Sequence, residues 1–60
     1  MTRFEMTQIL LHLLAENKVI TRYHKIMAGK ALMVKTPDGT EFIILIRKPL
    51  EDYNIPYREI

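Results

Sequence analysis

Val19-Ile20-Thr21-Arg22-Tyr23-His24-Lys25-Ile26-Met27 can be written onto two different folds. As a helix, it places Val19, Ile20, Tyr23, Ile26 and Met27 on one apolar face and stops at Gly29. As a strand, it gathers Val, Ile, Thr and Tyr into a short run that suits a pleated backbone, and Ala28-Gly29 becomes a two-residue turn. Periodicity fits both. The clustering of β-branched residues and the shortness of the segment favour the strand, which makes the chain a helix followed by a three-stranded meander, or a two-stranded one on the helical reading.

Downstream, Ala31 to Lys48 reads as a hairpin. Leu32, Met33 and Val34 lead into Thr36-Pro37-Asp38-Gly39-Thr40, where proline presets the first turn position and glycine accepts a positive φ. Phe42-Ile43-Ile44-Leu45-Ile46 then runs without alternation, the pattern of a strand buried on both faces. Pairing Met27 with Lys30 sets Tyr23 opposite Val34. A four-residue loop after the next strand puts Leu32, Val34, Ile43 and Leu45 on one face and Met33, Phe42, Ile44 and Ile46 on the other. Both faces are then apolar, and one helix covers only one of them. A second copy in a two-fold dimer is the simplest cover for the other face, and the chain's own tail is the next.

Upstream, Thr2-Arg3-Phe4-Glu5 fits a capping box. Met6, Ile9, Leu10, Leu13 and Leu14 follow at the spacing of an amphipathic helix, with Asn17 as a left-handed C-cap. Phe4 and Leu11, seven apart on a flank of that stripe, widen the apolar arc to well over half of the helix. Glu5, Gln8, His12 and Glu16 hold the remainder. The expected fold is therefore α+β and a single small domain over 1–60: a helix at about 2–16, strands at about 18–27, 31–36 and 41–48, and an extended tail at 49–60. In that tail Tyr53, Ile55 and Tyr57 recur at period two, with Pro49 and Pro56 as breakers, and the prolines argue against a central strand.

Sixty residues, 48% of them hydrophobic, are too apolar for a disordered peptide, yet so few that folding buries only roughly 60% of the surface of the unfolded chain. The absence of cysteine removes disulfide scaffolds, cysteine zinc sites, iron–sulfur clusters and thiol catalysis. Serine is absent as well. No apolar run reaches the length of a membrane span, since Ile9 to Ala15 is broken by His12 and closed by Glu16-Asn17-Lys18. With no secretory leader evident after Arg3, a cytoplasmic protein is expected. His12 and Glu16 lie one helical turn apart, which suits a metal pair, but no third ligand is spaced to join them. No metal, cofactor or catalytic residue is expected.

Thr36-Pro37-Asp38-Gly39-Thr40-Glu41, followed by an apolar strand ending Ile46-Arg47-Lys48, resembles the hairpin of the PD-(D/E)xK nucleases. The chemistry implied by that resemblance needs a second carboxylate two residues before the lysine. Ile46 stands there and cannot ligate a cation, so Pro37-Asp38-Gly39 reads as a turn. The helix followed by a basic hairpin also resembles the end portions of winged-helix domains. Lys18 to Gly29 leaves room for one further helix at most, not the two that fold requires.

Charge is unevenly distributed within the net +2. Between Asn17 and Pro37 stand Lys18, Arg22, Lys25, Lys30 and Lys35 with no acid, while both ends of the chain are mildly acidic. Arg22-Tyr23-His24-Lys25 interleaves an aromatic ring with nitrogen donors, and Arg22 and His24 share a face with Lys35, an arrangement suited to phosphates and stacked bases. Two functions follow as expectations. The first is a non-enzymatic interaction protein that binds and modulates, or inhibits, a larger macromolecule as a homodimer. Its contacts would be Phe4 and Leu11 on the helix and Tyr53, Ile55 and Tyr57 in the tail, because aromatic anchors dominate such surfaces. The alternative is a nucleic-acid-binding regulator using Arg22, Tyr23, His24, Lys25 and Lys35.

Overall fold

A computed structural model describes all sixty residues. Helix α1 spans Arg3–Glu16, and three strands follow: β1 at Arg22–Ile26, β2 at Ala31–Lys35 and β3 at Glu41–Leu45. They form one antiparallel sheet in the order β1-β2-β3, an α+β arrangement. Val19 to Met27 is thus strand rather than helix, though the strand is shorter than its sequence suggests.

The capping box forms as expected. The Thr2 side chain accepts from the Glu5 amide at 3.0 Å, and the Glu5 carboxylate accepts from the Thr2 amide at 2.9 Å. The C-terminus differs from the expectation. Asn17 stays at φ −88°, and Lys18 takes the left-handed conformation at φ 57°. The Val19 amide then donates to Leu14 O and the Lys18 amide to Ala15 O, the paired bonds of a Schellman motif. Meanwhile the Asn17 side chain donates to Leu13 O at 2.7 Å. This reversal shortens the first strand: Lys18 to Thr21 carry the chain across to the sheet and bury Ile20 on the way.

The first hairpin has the expected register, with Tyr23 opposite Val34 and Ile26 opposite Ala31. Ala28 and Gly29 both lie at positive φ, 56° and 81°, and the Lys30 amide closes on Met27 O at 3.1 Å. Such a primed turn matches the right-handed twist of the strands it joins.

The second hairpin is one residue out of its expected register. The Thr36 amide donates to Thr40 O and the Gly39 amide to Thr36 O, both at 2.9 Å, and Gly39 sits at φ 89°. The loop therefore holds three residues, Pro37-Asp38-Gly39, rather than four. Asp38 accepts from the Thr36 hydroxyl and, at 3.0 Å, from the Thr40 amide, which braces the tighter turn. Leu32 consequently faces Ile44, and Val34 faces Phe42. A slip of one residue exchanges the faces of the whole strand. Phe42 and Ile44 join the helix side, while Ile43 and Leu45 turn outward.

The core lies where α1 crosses β2. Leu11, Ile20, Leu32 and Val34 are buried together, with Leu14 and Ile44 packed against them. Thr7 is completely buried, its hydroxyl donating to Arg3 O at 2.8 Å. Leu11, expected at a contact surface, is instead only 8% exposed. The apolar arc of the helix is wide enough that its Thr7-Leu11-Leu14 side, not its Met6-Ile9-Leu13 side, meets the sheet. Two contacts fix that rotation. Phe4 packs on the first turn, where a Cβ on Gly29 would lie 2.6 Å from its ring, and Arg3 Nε donates to Ile46 O just beyond β3.

Candidate interaction surface

Helix rotation leaves Met6, Ile9 and Leu13 unburied on one flank of α1, with Leu13 51% exposed. Of the helix residues expected at a contact surface, Phe4 remains half exposed on the opposite flank, its ring 5.8 Å beneath Lys25 Nζ. Leu11 is withdrawn into the core. The sequence signal for the exposed stripe was present, because Met6, Ile9 and Leu13 recur at helical spacing. It was indistinguishable from a core stripe until the partner of each face was known.

The outer face of the sheet carries Arg22, His24 and Ile26 from β1, Ala31, Met33 and Lys35 from β2, and Glu41, Ile43 and Leu45 from β3, by the alternation of the observed registers. Met33, Ile43 and Leu45 are exposed there, Ile43 by 68%. A shallow concavity of about 430 Å³ is bordered by Arg22–His24, Met33–Lys35 and Glu41–Ile43. Arg22 and Lys35 stand directly opposite one another, with His24 beside them, so the expected cationic cluster is assembled. Lys35 Nζ lies 3.7 Å from the Glu41 carboxylate, which offsets part of that charge. Tyr23 and Lys25 project from the other face, so the strand divides the interleaved set between the two sides of the sheet.

Tyr53, Ile55 and Tyr57 are all exposed, Tyr57 by 87%. After Leu45 the chain forms no further strand or helix. One turn, closed by the Tyr53 amide on Leu50 O at 3.0 Å, interrupts it. The tail therefore presents its apolar residues without burying them on its own sheet.

Two carboxyl groups sit below their usual range. The hydroxyl of Thr36 and then the amide of Thr40 hold Asp38 down, while the amide and then the hydroxyl of Thr2 do the same for Glu5. Both carboxylates belong to local caps, one of a turn and one of a helix. No three His, Asp or Glu side chains gather where they could hold one ion, and no helix is long and apolar enough to cross a membrane. Comparison with protein families, with curated proteins and with solved structures returns no match for this chain.

Proposed function

We propose that the chain is a non-enzymatic interaction protein that binds and modulates a larger macromolecule, working as a homodimer. The observation that carries this reading is the unburied apolar flank Met6-Ile9-Leu13 on a regular, well-capped helix. A helix stripe of this kind fits a hydrophobic groove on a partner, with the anchors one turn apart. The tail residues Tyr53, Ile55 and Tyr57 add exposed aromatic and aliphatic anchors.

The reading is tested by substituting outward-facing residues alone. Ile9→Glu/Leu13→Glu is expected to keep the helical circular dichroism signal and lose the proteins captured by the wild-type chain from its own cell's lysate. Identical capture by both chains overturns the assignment of this flank. Nuclease treatment of the lysate separates direct protein capture from capture bridged by nucleic acid.

Nucleic-acid binding is the second reading, favoured by the adjacency of Arg22, His24 and Lys35 around the outer concavity. Phosphate contacts release counterions, so such binding weakens steeply with salt. A titration with single- and double-stranded DNA and RNA at low and at 0.2 M salt supports it if affinity falls about tenfold or more. Absence of binding at low salt removes it.

A further inference from the structure

β3 has the sequence of a central strand and the position of an edge. From Phe42 to Ile46 it carries no charge, no proline and no bulge, whereas the opposite edge, β1, is guarded by Arg22, His24 and Lys25. Unguarded apolar edges are templates for pairing with another strand. We propose that this edge joins two copies of the chain: β3 pairs antiparallel with β3 of a second copy about a two-fold axis through Ile44, in a register that sets Glu41 opposite the partner's Arg47. The proposal rests on the homodimer reading above but moves the junction from the face of the sheet to its edge.

Bond direction limits the registers available. The Ile46 amide donates to Lys30 O at 3.2 Å and the Thr36 amide to Thr40 O, so even-numbered residues of this strand turn their amides and carbonyls toward β2. By the alternation of an antiparallel ladder, Glu41, Ile43 and Leu45 turn theirs outward, and in the proposed pairing the extended strand continues past Leu45 to bring Arg47 into the same set. A second β3 can therefore hydrogen-bond only odd residues to odd, which sets even residues opposite even ones as the non-hydrogen-bonded pairs. With the axis through Ile43, Glu41 would face the partner's Leu45, a charge against an apolar side chain. With the axis through Leu45, Glu41 would face the partner's Pro49, which has no amide to donate. With the axis through Ile44, Ile43 meets the partner's Leu45 and Phe42 meets the partner's Ile46. Glu41 meets the partner's Arg47, and the two-fold repeats that opposite-charge pair.

The same operator keeps both helices on one side of the joined sheet, because directly opposed residues share a face. Arg3 reaches Ile46, and Met6 borders a hollow with Ile46, Arg47 and Lys48, so the exposed helix flank lies toward the β3 side. Phe42 and Ile44 then floor the space between the two helices. The edge is thus continuous with apolar surface that β2 and α1 leave uncovered.

Single cysteines report the register directly, since the chain has none of its own. Opposed residues of a non-hydrogen-bonded antiparallel pair have Cα atoms about 4.5 Å apart, within the range a disulfide spans. Light scattering of the wild type at micromolar concentration is expected to give a dimer mass. Mild oxidation is expected to cross-link Ile44→Cys and to leave Met33→Cys, on the outer face, uncross-linked. Should Ile44→Cys fail to fold, an equimolar mixture of Phe42→Cys and Ile46→Cys chains serves instead, with the mixed dimer as the expected product. Glu41→Arg is expected to weaken the dimer about tenfold or more, and Glu41→Arg/Arg47→Glu to restore it. A monomer mass for the wild type overturns the proposal, as does a dimer that cross-links at Met33→Cys and not at Ile44→Cys. Capture of a partner by the monomeric wild type would leave the interaction reading standing while the edge pairing falls.

Discussion

Ala28 and Gly29 show how much one position can ask of a residue. Both have positive φ in a primed turn, and Gly29 also has the Phe4 ring against its missing side chain. Gly29→Ala is therefore expected to lower the urea midpoint more than Gly39→Ala, which shares the left-handed backbone, φ 89°, but faces open space. The left-handed backbone alone costs an ordinary residue roughly 1–2 kcal/mol, and the ring contact adds to that. Combining Gly29→Ala with Phe4→Ala is expected to narrow the gap. Ala28→Asn runs the other way: it creates the Asn-Gly pair that primed turns prefer and is expected to raise the melting temperature by about 2–8 °C. At Asp38 and Glu5 the folded carboxyl is held below its unfolded value, so its contribution is present above the unfolded pKa and lost as pH falls through the folded one. Thermal melts from pH 7 down to pH 2 are expected to show a shallower acid decline in Asp38→Asn/Glu5→Gln than in the wild type.

At the scale of elements, the two sides of α1 separate stability from contact. Leu11→Ala removes a side chain from a four-residue core and is expected to cost about 2–4 kcal/mol in chemical denaturation. Leu13→Ala, on the exposed flank, is expected to change stability by less than about 1 kcal/mol. The helix itself was legible in the sequence down to the Thr2–Glu5 capping box, and so was the first hairpin register. The orientation of the helix was not. Its apolar residues cover so much of the circumference that Met6-Ile9-Leu13 and Thr7-Leu11-Leu14 are both plausible core stripes, and only the Phe4–Gly29 and Arg3–Ile46 contacts choose between them. The second hairpin register was hidden for a related reason. Thr36-Pro37-Asp38-Gly39-Thr40 supports a loop of three or of four residues, and the bonds that Asp38 makes to Thr36 and Thr40 favour the tighter one.

The whole molecule is expanded for its length. Its radius of gyration is 13.2 Å, against about 10 Å for a compact domain of sixty residues, and residues 47–60 are all exposed. Truncation after Leu50 is therefore expected to leave the melting temperature of the folded body within about 2 °C, while removing Tyr53, Ile55 and Tyr57 from any partner contact. With seven buried residues, the single chain has little core to draw on, and association should supply part of its stability. The melting temperature of the wild type is expected to rise with protein concentration, and that of Glu41→Arg to rise only at concentrations about tenfold higher or more.

The sequence by itself determined the order of the elements and, outside Val19 to Met27, their types. Capping chemistry, β-branched clustering and turn residues act over a few positions, and Thr2 to Glu5, Ala28-Gly29 and Pro37-Asp38-Gly39 each carry their instruction locally. Tertiary structure decided which apolar residues are core and which are surface. That choice sent Leu11 inward, left Met6, Ile9 and Leu13 outside, and turned Ile43 and Leu45 rather than Phe42 and Ile44 to the outer face of the sheet. The physical reason is that burial belongs to a pair of faces. An apolar arc wider than the sheet beneath it, and a strand apolar on both sides, acquire an inside only when a neighbour covers one part of them.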